Sequence, residues 1–230
     1  MVFSNKWPPM SNIGQLLFDC DGVLVDSEII AAHAMVEMLS QYGIEITVDY
    51  YLNNCTGKTY SGLVIELGEK FGAPLPSHFL SEVTKEVDYR LETQLKPIDG
   101  INHLLESLHL PKSIVSNSDV YQIEHAIEYV NIAHYFTHVF SCQMVARPKP
   151  DPGVYLHAAT TLNVDPLDCL VVEDSLAGAT AALSAGMNVI GFAGGSHIVK
   201  GHAEKLMNIG VTHVAGSIQE LGEMIDFVMS

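Results

Sequence analysis

Short apolar runs alternate along this chain with longer stretches whose apolar residues return every three or four positions. The runs at 13–18, 113–115, 139–140, 170–172 and 189–192 are too short for helices and are bounded by polar or glycine residues, which predicts buried strands. Ile101, Leu104, Leu105 and Leu108 follow the i, i+3, i+4, i+7 spacing of an amphipathic helix. So do Ile123, Ala126, Ile127 and Val130, then Tyr155, Ala158, Ala159 and Leu162, and near the end Leu221, Met224, Ile225 and Val228. Start and stop signals agree: Asp119 with Gln122 and Ser217 with Glu220 have capping-box spacing, Asp151 precedes Pro152, and Gly186 stands where a helix from about Ser175 should stop.

Alternating strands and helices predict an α/β fold, a doubly wound, Rossmann-like parallel sheet covered on both faces. The stretch after the first strand breaks the alternation. Ala32, Met35, Val36 and Leu39, then Leu63, Leu67 and Phe71, have helical spacing with no strand between them. The expectation is a discontinuous core at 13–27 and 96–230, an inserted all-helical cap domain at 28–95, and a loose extension at 1–12. In that extension Met10 is an alternative start, and Trp7-Pro8-Pro9 with no apolar stretch does not resemble a secretion signal.

Composition narrows the partners. With 11 Lys plus Arg against 27 Asp plus Glu, the formal charge is −16. Nucleic acid and anionic membrane surfaces are disfavoured, since both call for a basic face. No apolar run reaches the roughly 18 residues of a membrane span, and a hydrophobic fraction of 48% is ample for a core. Four scattered cysteines without a CxxC pair fit reduced thiols in a cytoplasmic protein.

In open parallel sheets, ligands bind beyond the carboxyl ends of the strands. Asp19 and Asp21 follow the first predicted strand, Ser116 and Asn117 the second, Glu173 and Asp174 the fourth, and Lys149 stands just before a helix. Converging carboxylates repel one another unless cations neutralise them. Oxygen ligands without imidazole or thiolate favour Mg²⁺. A carboxylate can attack phosphorus, and a second can protonate the leaving oxygen and then activate water.

Asp19-Cys20-Asp21-Gly22-Val23-Leu24-Val25-Asp26-Ser27 resembles the first motif of the haloacid dehalogenase-like superfamily. Ser116 matches its second motif, Lys149 in Lys-Pro-Asp-Pro its third, and Glu173-Asp174-Ser175 its fourth. The resemblance runs from Ile13 onward and puts the insertion where that family has its helical cap. It implies that Asp19 is the nucleophile and Asp21 the general acid/base. Ser116 would then hold the phosphoryl group, with Asn117 as a substrate contact, and Lys149 would orient the nucleophile. The same likeness implies that Asp19, the Asp21 carbonyl and Asp174 hold Mg²⁺, assisted by Glu173.

The second aspartate, Asp21, distinguishes phosphoryl transfer from dehalogenation within the family. The function expected is a Mg²⁺-dependent phosphatase of a small phosphorylated metabolite, a sugar or sugar-acid phosphate, working as a monomer through an aspartyl-phosphate. The alternative is a hexose-phosphate mutase like beta-phosphoglucomutase. Against it, Ala31, Tyr60 and Asp119 stand where the mutase resemblance calls for histidine, arginine and lysine.

Lys58 is the cap candidate for the distal part of the substrate, with a solvent-exposed lysine as the equal alternative. The glycines around Gly194 and Gly195 read as a turn, and His197 beyond them as a residue that either belongs to that turn or borders the site. His134 and His138 read as packing or surface residues, and Cys20 as an inward-packing side chain.

Overall fold

A computed structural model describes residues 13–55 and 60–229. The strands are β1 (Gln15–Phe18), β2 (Lys112–Ser116), β3 (His138–Ser141), β4 (Cys169–Glu173), β5 (Asn188–Phe192) and β6 (His213–Ala215). All pair in parallel, in the order β3-β2-β1-β4-β5-β6. The chain builds outward from β1 on one side and then returns to start β4 on the other. A switch point therefore lies between the ends of β1 and β4, where a crevice for ligand opens.

Successive strand residues point to opposite faces, and the core divides accordingly. Leu16, Phe18, Ile114, Leu170, Val172, Ile190 and Phe192 pack on one face with α5 (Ile101–Ser107), α6 (Val120–Tyr129) and α10 (Ile218–Met229). Leu17, Val115, Phe140, Val171 and Val189 pack on the other with α7 (Gly153–Leu162), α8 (Leu176–Ser184) and α9 (His202–Asn208). This is the α/β, doubly wound arrangement expected from the pattern. The sixth strand and α9 were not anticipated: His213-Val214-Ala215 is three residues long and sits at the sheet edge, so it leaves little periodic trace.

Between β1 and β2 lie α1 (Ser27–Gln41), α2 (Val48–Asn54), α3 (Tyr60–Phe71) and α4 (Phe79–Gln94), the helical cap. They gather around their own apolar cluster, which includes Met35, Leu39, Leu63, Leu67, Phe79 and Val83. The two connections to the core run side by side: Asp26 N donates to Lys96 O at 3.0 Å and Ile98 N to Leu24 O at 2.9 Å.

Local signals act largely as anticipated. Asp119 and Gln122 form a reciprocal capping box, and Gly186 follows α8 with a φ of 78°. At α7 the start is one residue later than Asp151-Pro152 suggested; Pro152 is the cap residue, and Asp151 Oδ1 accepts from Gly153 N at 2.9 Å. Ser217 caps α10 through Glu220 N at 3.2 Å, while Glu220 Oε2 turns to Gly216 N. Among the described residues, no helix is long and apolar enough to cross a membrane.

Candidate active site

The carboxyl ends of β1, β2 and β4 bring the expected residues together. Asp19 leaves the end of β1 with its backbone N–H donating to Val172 O of β4. Lys149 reaches it from the loop before α7. The lysine Nζ lies 2.7 Å from Asp19 Oδ1, 2.5 Å from Glu173 Oε1 and 2.8 Å from Val115 O, so its three donors are all used. Lys149, Asp19, Glu173 and Asp174 are all buried.

Asn117, expected to touch substrate, holds this loop. Its Oδ1 accepts from Lys149 N at 2.9 Å and its Nδ2 donates to Lys149 O at 3.3 Å.

Glu173 is fully committed within the protein. Oε1 accepts from Lys149 and from the Tyr155 hydroxyl at 2.8 Å, and Oε2 accepts from Ser175 N at 3.3 Å and Ser175 Oγ at 3.1 Å. The glycine at 178 makes room for it, because a Cβ there would collide with the carboxylate. Tyr155 fits the helical core pattern, and nothing in that pattern signals its polar partner.

Asp21 stands on the next turn of chain. Its Oδ1 accepts from Ser27 Oγ at 2.6 Å and its Oδ2 from Ser118 Oγ at 2.7 Å, with Ser116 Oγ at 3.5 Å. Ser116 Oγ accepts from Ser118 N at 3.0 Å, and its own proton makes only the long 3.5 Å bond to Asp21. Ser27 and Ser118 were not singled out from sequence. The turn after Asp21 needs Gly22: its φ is 79°, and a Cβ would strike the Asp174 carboxylate.

Asp19, Glu173 and Asp174 offer oxygens within 4.8 Å of one another. Burial, followed by repulsion from Glu173, pushes the Asp19 carboxyl well above the ordinary range, with Lys149 opposing. Asp174 is raised by burial and then by Glu173. Burial alone would lower Lys149, but Asp19 and Glu173 outweigh it and hold the ammonium charged. When all three are ionised, the buried carboxylates exceed the one ammonium by two negative charges, which is the repulsion that, after burial, raises Asp19 and Asp174. Asp174 Oδ1 is also buried without a hydrogen-bond partner. A hard divalent cation would neutralise that excess and occupy that oxygen, so the residues fit a Mg²⁺ site.

His197 comes within reach from the loop after β5, with Nε2 2.9 Å from Asp174 Oδ2. Burial lowers its pKa, with Glu28, Asp26 and Asp21 opposing. Cys20, between the two aspartates, is buried, and burial raises its thiol pKa well above the ordinary value, which makes it inert packing as expected. All four cysteines are free.

A cavity of about 670 Å³ opens between core and cap beside Asp21. Its walls include Glu28, Tyr51, Tyr60, Asp88, Glu92 and Asp119, and no Lys or Arg among the described residues. Ala31, Tyr60 and Asp119 all line it, while His33 faces solvent. Glu28, which opens α1, is raised to about 7 by burial and then by Asp21 and Asp174. A glutamate in a first helical turn reads in sequence as a dipole partner, which is why its place in the cavity was missed. Lys58 and the extension at 1–12 lie outside the described residues.

A family model for haloacid dehalogenase-like hydrolases matches residues 16–192. The chain belongs to that family. It is 34% identical over 190 residues to the 6-phosphogluconate phosphatase of Escherichia coli, covering 82% of this chain and 86% of that protein. It is 29% identical to the fructose-1-phosphate phosphatase YqaB of the same organism, over 76% of this chain and 94% of the relative. A solved structure of a conserved haloacid dehalogenase-like protein of unknown function from Agrobacterium tumefaciens superimposes with a TM-score of 0.89 at 36% identity, over 95% of this chain and 100% of that one. The expectation of a phosphatase agrees with these relatives.

Proposed function

We propose that this chain is a Mg²⁺-dependent phosphatase of small sugar phosphates that works through an aspartyl-phosphate on Asp19. The observation that carries the reading is the buried ion pair of Lys149 with Asp19, set among carboxylates that, when ionised, exceed the available positive charge by two.

Lys149 holds Asp19 Oδ1, which leaves Oδ2 to attack phosphorus. As the ester bond breaks, Asp21 gives its proton to the leaving oxygen. Its carboxylate then takes a proton from water, whose oxygen attacks the aspartyl-phosphate and restores Asp19. Ser27 and Ser118 keep the Asp21 carboxyl oriented for both transfers. Ser116 exchanges its long 3.5 Å bond to Asp21 for one donated to a phosphoryl oxygen. Asp19, Asp174 and the Asp21 carbonyl would hold Mg²⁺, which supplies charge neutralisation for the phosphoryl group. Glu173 serves chiefly to hold Lys149 in place.

The cavity favours a hydroxyl-rich leaving group. Carboxylates and tyrosines accept and donate hydrogen bonds to sugar hydroxyls, whereas a second phosphate would meet Glu28, Asp88 and Asp119. That supports hydrolysis over the mutase reaction, which must grip a bisphosphate at both ends. A panel of phosphate esters assayed for inorganic phosphate with Mg²⁺ tests the reading, with glucose 1-phosphate and a trace of bisphosphate included. Phosphate release from sugar or sugar-alcohol phosphates is expected. Isomerisation without phosphate release would overturn it.

A further inference from the structure

We propose that His197 is the positioning residue that aims Asp174 at the metal. This rests on the metal reading above. A carboxylate has two oxygens, and rotation about its Cβ–Cγ bond exchanges them. Asp174 has a close neighbour on one side only: Oδ2 lies 2.9 Å from His197 Nε2, while Oδ1 is buried with no partner. The backbone of the same residue is also fixed, with His202 Nε2 2.6 Å from Asp174 O. Two histidines from the segment after β5 therefore bracket one acid of the cluster.

The local chain is shaped for this ring. A Cβ at position 22 would come within 2.7 Å of His197 Cε1, and one at position 195 within 2.7 Å of the same atom. Glycines at both places let the imidazole slide between the first motif and the β5 loop. The neighbouring Ser196 ties that loop to the root of the cap, its Oγ 2.5 Å and its N 3.3 Å from the Asp26 carboxylate.

The ring is also kept at a cost. His197 Nδ1 is buried without a partner, and a buried unpaired polar atom works against folding. An apolar side chain of similar size would pack there without that penalty. What the imidazole adds is the donor to Asp174, and Mg²⁺, with its strict octahedral demand, profits from a ligand held in one orientation.

The test is calorimetric titration of metal-free protein with Mg²⁺, comparing wild type with His197→Leu, which keeps bulk but no donor, and His197→Gln, which keeps an N–H near the Nε2 position. The leucine variant should bind Mg²⁺ about 10- to 100-fold more weakly, with metal-free stability equal to wild type or higher. At saturating Mg²⁺ its KM for substrate should be unchanged. The glutamine variant should recover affinity to within a few-fold of wild type. Mg²⁺ affinity of the leucine variant within twofold of wild type would overturn the proposal, as would equal losses in both variants. Absence of Mg²⁺ binding by wild type would instead overturn the metal reading, and this inference with it.

Discussion

Lys149 and Asp19 are joined by a 2.7 Å ion pair in which the lysine side chain is 3% exposed and the aspartate side chain 10%. Desolvating two charges this fully is costly, and removing one partner strands the other. Here the lysine serves Glu173 as well, so its loss strands two carboxylates. Lys149→Ala should therefore lower the unfolding free energy of the metal-free protein at pH 7 by about 3–5 kcal/mol, and kcat by at least about 100-fold. Urea denaturation and phosphate release measure the two effects. A stability loss below about 1 kcal/mol, the size of an exposed pair, would contradict the burial of the pair.

Gly178 provides a test of opposite sign to the usual rule. Glycine to alanine inside a helix ordinarily stabilises by about 1 kcal/mol. In α8 the new methyl would run into the Glu173 carboxylate, which holds Lys149. Gly178→Ala is expected to destabilise by about 1–3 kcal/mol and to depress activity at least tenfold, read from urea midpoints and phosphate release. A stabilised, fully active variant would show that Glu173 is free to move.

Much of this site was legible because family motifs sit where strands end. Short apolar runs such as Leu16, Leu17 and Phe18, bounded by polar or glycine residues, made the sheet readable, and in the structure they divide between two core faces. Asp19, Asp21, Ser116, Glu173 and Asp174 stand at or just beyond the ends of those strands and Lys149 precedes α7, and the family motifs single them out. The supporting residues did not. His197 stands in a glycine-rich loop remote in sequence from Asp174, and only the parallel pairing of β4 with β5 brings the two together. Tyr155 looks like core because its ring is core. Ser118 looks like loop because its partner Asp21 is 97 residues away. Periodicity reports which face a residue takes, and carries no information about which polar atom it meets across the sheet.

Glu28 makes the metal-free protein sensitive to pH. Its pKa rises from 4.5 to about 7 on folding, so the folded state holds its proton more tightly than the unfolded state. The stability it contributes is complete below pH 4.5 and is lost as pH climbs through about 7. Glu28→Gln removes this loss. The variant should match wild type near pH 4 and exceed it by up to about 3 kcal/mol at pH 8. Urea denaturation at a series of pH values in chelator checks this; a difference that does not vary with pH would refute it.

Metal should reverse the repulsion within the cluster. Added Mg²⁺ is expected to raise the thermal midpoint of metal-free protein, by about 2.7 kcal/mol of stability at a hundredfold excess over Kd, while K⁺ at equal ionic strength leaves it unchanged. Phosphate binding should be nearly lost in chelator, because the bare carboxylates repel it. Tight phosphate binding without metal would contradict the excess of buried negative charge.

The most direct test of the central claim is phosphate release by Asp19→Asn, assayed with Mg²⁺ on the best sugar phosphate of the panel. Asparagine keeps the shape of the side chain and cannot form the aspartyl-phosphate. The account predicts a folded protein whose release of inorganic phosphate falls to background. Release near the wild-type rate would contradict Asp19 as the nucleophile.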